Sequence, residues 1–366
     1  MEKIKLGDLC KPSAGQIKED EDTLIDYIDI SSVDNETKKV TGYQTITFGE
    51  APSRARKAVR RGNVLVSTVR PNLNAVALLE EDTPNVSVAS TGFCVLESKD
   101  DVDPRFILNF CKSKPFIDDM VSQATGASYP AVSDKIVRSA LVPNYSYQEQ
   151  QHISTVLDKL AGIIDDRRIE LQQLDDLIKA RFVELFGDPL DGTAKYPIHQ
   201  VGDVAEAVDP QPSHRTPPVE EGGIPYVSIK DCDSKTGMID FEGARKVSRK
   251  VLEEHLDRYT LHEGDFVIGK IGTIGNPIFV PARNDYTLSA NVVLVQPNTE
   301  LVSAYYLKYA FESAFVERQF SEAKNSTSQA AFGIQKVRTI ELMNPDIEIQ
   351  RGFESFAKQV DKSKVV

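Results

Sequence analysis

The sequence predicts a chain of the α+β class: two similar domains of mixed helix and strand in tandem, a long helix between them and a shorter helix at the end. Three observations lead there. Residues 146–187 carry an uninterrupted helical pattern with apolar positions spaced alternately four and three apart. Residues 1–145 and 191–345 show the same order of short motifs at an offset near 200. The chain has 366 residues, 40% of them apolar and 27% charged, which is enough for two or three domains that each bury a core.

In residues 1–145, β-rich runs at 24–30, 63–69, 75–79 and 92–96 alternate with turn-rich segments. A helix is expected over 104–121. Asp103 is its N-cap, Pro104 its first residue, and Phe106, Ile107, Phe110 and Cys111 share one face. The loop TGASYP at 125–130 leads into KIVRSALVP at 135–143, read as a last strand ending at Pro143.

The long helix, within a segment bounded at 146–190, has no proline before its end and Gly162 as its only internal glycine. Ile153, Leu157, Leu160, Ile164, Leu171, Leu174, Ile178 and Leu185 hold the 4-3 frame. Arg167 and Arg181 fill its remaining slots, and Val156, Ile163 and Leu177 widen the stripe. A 3.5-residue repeat is the seam of a coiled coil. At 1.5 Å per residue the stretch is about 60 Å long. It is either a helix packed on a core or a spacer between domains, and the second reading requires similar domains on both sides. Gly187 followed by Pro189 is a stop signal.

The repeat supplies those domains. IKLGDL (4–9) matches HQVGDV (199–204), DYIDI (26–30) matches PYVSI (225–229), and RGNVLVS (61–67) matches EGDFVIG (263–269). VASTGFCVL (88–96) matches TLSANVVLV (287–295), and FILNFCKSKPF (106–116) matches YYLKYAFESAF (305–315). The helix start recurs as well: Gln150, Ile153, Val156 and Leu160 align with Gln350, Phe353, Phe356 and Val360. Each match is weak, but their collinearity is not. The order is domain, helix, domain, helix, with the last helix in 346–366 and about half as long as the first.

Composition narrows the function. Cys10, Cys94, Cys111 and Cys232 are scattered without a CxxC pair, which points to reduced thiols and neither a disulfide framework nor a zinc site. No apolar run reaches the length of a membrane span. The start, MEKIKLGDLC, lacks the apolar core of a secretory signal, so the cytoplasm is expected. The net charge of -12 argues against nucleic-acid binding only if charge is evenly spread. It is not: the long helix carries eight acidic residues against five basic ones, and the basic residues gather elsewhere.

No catalytic site emerges. Asn276-Pro277-Ile278-Phe279 resembles the NPP[FY] motif of amino-methyltransferases, but Ile278 replaces its second proline and no glycine-rich loop for S-adenosylmethionine follows a strand. GKIGTIGNP (269–277) lacks the GKS/T ending of a phosphate loop and reads as a tight turn between strands. No Ser/His/Asp order suggests a nucleophile. Asp165-Asp166 and Asp175-Asp176 read as solvated helix charge.

The repeated GD starts, the PYVSI strand, GKIGTIGNP, the Ser/Gly loop before the last strand and P-x-x-x-x-Q-E-Q-Q-x-I at 143–153 together resemble the specificity subunit of type I restriction–modification systems, over essentially the whole chain. The resemblance implies two α+β target-recognition domains, 1–145 and 191–345, and an antiparallel coiled coil made by the two helices. It implies a non-catalytic subunit that reads a split sequence in double-stranded DNA, one half-site per domain. It further implies docking of two methyltransferase subunits through the helices, joined by restriction/translocase subunits. The chain itself would bind no cofactor: S-adenosylmethionine belongs to the methyltransferase, ATP and Mg to the restriction subunit. A rod of the predicted length bridges roughly one to two turns of DNA at about 34 Å per turn.

In that reading the first domain offers Arg54, Arg56, Lys57, Arg60 and Arg61, then Arg70, Asn72 and Asn74 on a loop between strands. Arginine and asparagine are the residue types that pair in two-pronged fashion with guanine and adenine. The second domain offers Arg245, Lys246, Arg249 and Lys250, then Lys270, Thr273 and Asn276. The two basic runs are taken to lie at matching positions. Ser128 and Tyr129, and Ser326 and Gln329, occupy the later loops, each followed by a basic pair (Lys135/Arg138 and Lys336/Arg338). Tyr129 contacts a base or is buried. On the long helix, Arg167, Leu171, Leu174, Ile178, Arg181 and Leu185 are the expected partner surface, because the short last helix is expected to leave that half uncovered. Two other readings are a coiled-coil scaffold joining protein-binding domains and a free-standing repressor. Neither requires a methyltransferase to co-purify.

Overall fold

The computed structural model describes residues 2–13, 15–211, 215–233, 236–270, 275–325 and 333–364. The chain forms two compact units, 1–166 and 167–366. One continuous helix, Tyr147–Phe186, gives its first half to one unit and its second half to the other. It opens on a capping box: Ser146 N donates to the Glu149 carboxylate at 2.8 Å and Glu149 N to the Ser146 hydroxyl at 3.4 Å. It ends where expected. Gly187 has φ +77°, and a Cβ there would sit 1.9 Å from the Thr193 carbonyl oxygen, so no other residue fits.

In the first unit, strand Leu24–Ile28 lies between Gln44–Thr47, antiparallel, and Val86–Ser90, parallel, with Ala55–Ala58 at the far edge. A second sheet sets Asn63–Ser67 between Val76–Leu78 and Phe93–Glu97. In the second unit, Ile224–Val227 lies between Arg245–Val247 and Thr287–Leu288. Phe266–Gly269 lies between Gly275–Phe279 and Val292–Pro297, and Ala205–Val208 adds a fourth strand. The β-branched runs of the sequence are therefore the buried centres of both second sheets: all residues of Asn63–Ser67 and of Phe266–Gly269 are buried.

Two local expectations need correction. The helix expected over 104–121 is two helices, Pro104–Lys112 and Lys114–Gln123. Pro115 has no N–H and its ring crowds the preceding turn, so the first helix stops. Ser113 then caps the second by accepting from Phe116 N. The strand expected over 135–143 is strand only at Leu141–Pro143. Before it, Ser133 caps a short helix, Asp134–Ser139. A brief apolar run does not by itself distinguish helix from strand.

The second unit repeats the plan at the level of single contacts. Strand Lys3–Lys5 pairs Leu141–Pro143, and Ile198–Gln200 pairs Glu341–Met343. Leu6 N donates to Ala140 O and Val201 N to Ile340 O, both at 2.8 Å. Gly7 lies against Arg138 and Gly202 against Arg338. These two arginines turn inward to the carbonyls of Lys11 and Ala207. Gln150 is buried and its side-chain carbonyl accepts from Asp103 N at 3.1 Å; Gln350 is buried and accepts from Ser303 N at 2.8 Å. Their amides donate back to Tyr145 O and Pro345 O. The shared glutamine thus ties each helix to the N-cap of a helix in its own domain, Pro104–Lys112 in the first and Ala304–Phe311 in the second.

The second unit adds an aromatic core. Phe182 and Phe186 of the long helix pack on Tyr306 and on Phe353 of the last helix, Ile347–Ser363, with ring centroids 4.8–5.6 Å apart. Burying each phenylalanine stabilises by about 1.5–3 kcal/mol. At the other end of the contact, Arg167 donates to the carbonyls of Ser363 and Lys364, and Lys364 Nζ lies 2.6 Å from Asp175. The two helices therefore run antiparallel over 167–186. The 4-3 frame missed Phe182 and Phe186, because Leu174, Ile178, Phe182 and Phe186 recur every four residues.

Candidate nucleic-acid interface

In the first unit, the hairpin loop after strand Asn63–Ser67 is joined to the loop at 125–131 by backbone bonds. Arg70 N donates to Pro130 O at 2.7 Å and Val132 N to Thr68 O at 2.9 Å. Thr125 and Ala131 close the second loop on itself. Gly126 has φ +103° and a Cβ there would meet Tyr129 O at 2.9 Å, so the loop that carries Tyr129 needs this glycine. Arg70 and Asn74 both have left-handed backbone, φ 49° and 48°. Tyr129 is 68% exposed, and the Arg70 guanidinium carbon lies 4.7 Å from its ring centroid. Asn72 and Ser128 are exposed beside them.

Asn74 points the other way. It is buried and donates from Nδ2 to Cys111 O, while its main-chain carbonyl accepts from Lys38 Nζ at 2.6 Å. Its expected place as a base reader is therefore taken by a structural role. Lys38, which the sequence did not single out, has φ 58°. Burial, then the charge of Lys112, hold its pKa below the ordinary lysine range.

The basic run of this unit is largely engaged within the fold. Arg54 pairs with Asp29 at 2.6 Å and donates to the Tyr27 hydroxyl. Lys57 is mostly buried against Asp134 and Phe93 O. Arg60 pairs with Glu97 at 2.6 Å. Arg56 lies over Phe48 and donates to Ala55 O. Arg61 is exposed, and its backbone N–H donates to Asp82.

In the second unit, Arg245 donates to Pro217 O and Lys246 to Phe241 O. Arg249 and Lys250 are exposed on the first turn of helix Arg249–Leu256, with Glu253 and Glu254 one turn on. Lys270 is 4% exposed at its side chain and lies 2.8 Å from Asp209 as an ion pair, so its ammonium is kept from solvent. Asn276 is exposed with φ 51°. Thr273, Ser326 and Gln329 lie outside the described residues. Gly269 faces Gly275 across the strand pair, and the turn at 271–274 lies outside the described residues.

The two basic runs do not occupy matching positions. Ala55–Ala58 edges the first sheet beside Val86–Ser90, whereas Arg245–Val247 edges the equivalent sheet beside Ile224–Val227, on the opposite side. Similar composition within a shared motif order had suggested equivalence, but strand order is set by long-range pairing that composition does not encode.

The expected partner surface on the long helix also changes. Ile178 is fully buried, Leu174 and Leu185 pack against the same core, and Leu171 is half-buried. Arg181 pairs with Glu184 and lies over Phe356. Arg167 caps the last helix. The last helix covers this half because Gln350 fixes its start on the second unit. Ile169, Leu177 and Val183 stay exposed in this half, but the contiguous exposed apolar row lies in the other: Val156, Leu157, Leu160, Ile163 and Ile164, each 40–64% exposed. Among the described residues no helix is long and apolar enough to cross a membrane.

Comparisons with known proteins agree with the family resemblance seen in the sequence. Residues 195–365 match the family described as the type I restriction modification DNA specificity domain. A 147-residue stretch is 26% identical to the specificity subunit of the type I restriction enzyme HindI of Haemophilus influenzae. It covers 38% of this chain and 31% of that protein, so the match spans about a third of the relative's length. A chain from a study of complex assembly and conformational transition in the type I R-M system superposes with a TM-score of 0.58 at 20% identity, covering 100% of this chain and 90% of the other. The type I restriction–modification S subunit from M. genitalium superposes with a TM-score of 0.53 at 13% identity, covering 99% and 90%. At these identities the structures speak for the fold.

Proposed function

We propose that this chain, whose residues 195–365 match the type I restriction modification DNA specificity domain, is the specificity subunit of such a system and reads a two-part target in double-stranded DNA, one half-site per domain. The observation that carries this is the repeat. The first unit reproduces the contacts of the matched second one, down to Gln150 on Asp103 and Gln350 on Ser303. A protein with two copies of a recognition domain addresses two sites. The chain performs no chemistry in this reading. S-adenosylmethionine is held by the methyltransferase partner, ATP and Mg by the restriction/translocase partner, and the complex works in the cytoplasm.

The antiparallel helices act as its coiled coil. Two methyltransferase subunits dock on the helical region, and the surface favoured for one of them is the exposed row Val156, Leu157, Leu160, Ile163 and Ile164. Contiguous exposed apolar side chains at helical spacing are the usual mark of a partner helix. Ile163→Glu is expected to abolish co-purification of the methyltransferase while leaving the chain folded. Leu174→Glu instead lowers the stability of the second unit, because it places a charge against that unit's core. Unchanged assembly of the Ile163 variant would move the interface elsewhere.

Long-read methylation sequencing of cells with and without the gene tests the function itself. The expected result is gene-dependent adenine methylation at a split motif. No change in methylation and no co-purifying methyltransferase would favour the scaffold or repressor readings.

A further inference from the structure

We infer that Arg70 is a base-reading residue of the first domain and that its ligand is a guanine, contacted at N7 and O6 in the major groove. This rests on the DNA-recognition reading above and adds to it the identity of one base and the residue that takes it.

The first observation is that the Arg70 side chain has no acceptor among the described residues. No carboxylate or carbonyl of these accepts from its guanidinium, whereas Arg54, Lys57 and Arg60 are each paired with an acid. Arg70 instead lies with its guanidinium carbon 4.7 Å from the ring centroid of Tyr129, which is itself 68% exposed. A guanidinium supported on an aromatic face keeps its N–H donors available at the edge.

The second observation is that the loop is held. Arg70 has φ 49°, unusual for a residue with a side chain. The conformation is kept by its N–H on Pro130 O, by Leu73 N on its own carbonyl, by Pro71 after it and by Asn74 below, tied to Cys111 O and Lys38. Strained backbone persists where the surroundings over-determine it, and it gathers at functional sites.

These features favour a base over a phosphate. A phosphate contact needs charge and reach, which the exposed Arg61 supplies without any support. A two-bond contact needs the planar fork at a fixed angle, and the guanine N7/O6 edge is the double acceptor that matches it. The device belongs to one half of the chain. When Gly62-Asn63 is laid on Gly264-Asp265, Gly272 stands where Arg70 stands. The second half-site is therefore read by other groups.

The test is selection from a pool of random-sequence duplexes by the full chain, alone and with the methyltransferase subunits that co-purify with it. Wild type, Arg70→Ala, Arg70→Lys and Tyr129→Leu are compared. Wild type is expected to enrich a two-part motif, and Arg70→Ala to lose one guanine position in one half with the other half unchanged. On the selected duplex, 7-deazaguanine at that position is expected to weaken wild-type binding roughly tenfold and Arg70→Ala binding no further. Arg70→Lys and Tyr129→Leu keep salt-dependent affinity but discriminate less at the same position, and they carry the test should Arg70→Ala fold poorly. Equal weakening on all DNA overturns the assignment and makes Arg70 a phosphate contact, and loss of a position that is not guanine overturns the choice of guanine as its ligand. A wild-type pool with no motif overturns the DNA-recognition reading itself.

Discussion

Asn63 and Glu97 face each other across one strand pair of the first unit. At the equivalent place in the second unit Gln296 donates to Asp265 at 2.6 Å. Both turns use the same device: Asn63 accepts from Arg60 N at 3.0 Å and Asp265 from His262 N at 2.8 Å. Carboxylate and amide have changed sides. In the first unit the acid is on the outer strand, where Arg60 and Lys11 reach it; in the second it is the buried member, 2% exposed. The frame requires an acceptor at the turn and a polar partner opposite, and leaves the charge free to sit on either. The same rule governs the whole repeat: contacts that mount each domain on its helix are kept, and what fills the edges differs.

The largest test of that division is at the helix seats. The second seat is aromatic, built on Phe353, Phe182 and Phe186, whereas the first rests on Gln150, Ser154 and a half-buried Ile153. Phe353→Ala is expected to cost about 3–5 kcal/mol and Ile153→Ala about 1–2 kcal/mol, read from urea unfolding with a probe in each unit. Comparable losses would mean that the two seats are energetically alike and that the added aromatics matter little.

A smaller effect is expected at the shared tie. Gln150→Ala and Gln350→Ala each leave a buried backbone N–H without its acceptor, which costs about 1–3 kcal/mol. The two losses are expected to agree within about 0.5 kcal/mol, the usual scatter of such measurements. A loss at only one site would show that the repeat is conserved in shape but not in energetics.

These glutamines also mark what was legible in the sequence. Collinear motifs showed the repeat and aligned Gln150 with Gln350 before any contact was known, while the uninterrupted helical pattern and Gly187 marked the long helix and its stop. Periodicity was less reliable. The 4-3 frame continued through 171–185 and passed over Phe182 and Phe186, because an apolar stripe on a helix does not say which neighbour covers it. The basic residues were least legible. Lys57 meets Asp134 at a separation of 77 residues, and Lys270 meets Asp209 at 61. Whether such a charge is spent inside the fold depends on tertiary pairing. Arg70 and Tyr129, 59 residues apart, are brought together by the same kind of long-range pairing, here with the charge left available.

The smallest expected effect is the one that most sharpens the exchanged pair. Burial raises the Glu97 pKa, but hydrogen bonds from Arg60 and Lys11 outweigh it and the net shift is downward. Its contribution to stability is therefore present above the ordinary carboxylate range and is lost as pH falls through the lowered folded value. Asp265 is the opposite case. Burial raises its pKa, and the bonds from His262 N and Gln296, with the His262 charge, only partly offset that. Its contribution is complete below the ordinary carboxylate range and is lost as pH rises through the raised folded value. The pH dependence from Glu97 therefore falls at and below the ordinary carboxylate range, that from Asp265 from this range upward, and the two have opposite sign. Asp265→Asn, which copies the Asn63 arrangement, is expected to flatten the profile of the second unit and raise its urea midpoint at neutral pH. Glu97→Gln is expected to flatten the profile of the first unit and lower its midpoint there, since Arg60 and Lys11 lose their partner. Should Asp265→Asn leave the second unit's profile unchanged, the carboxylate is not held out of its ordinary range by burial, and the exchange across the strands is neutral to pH.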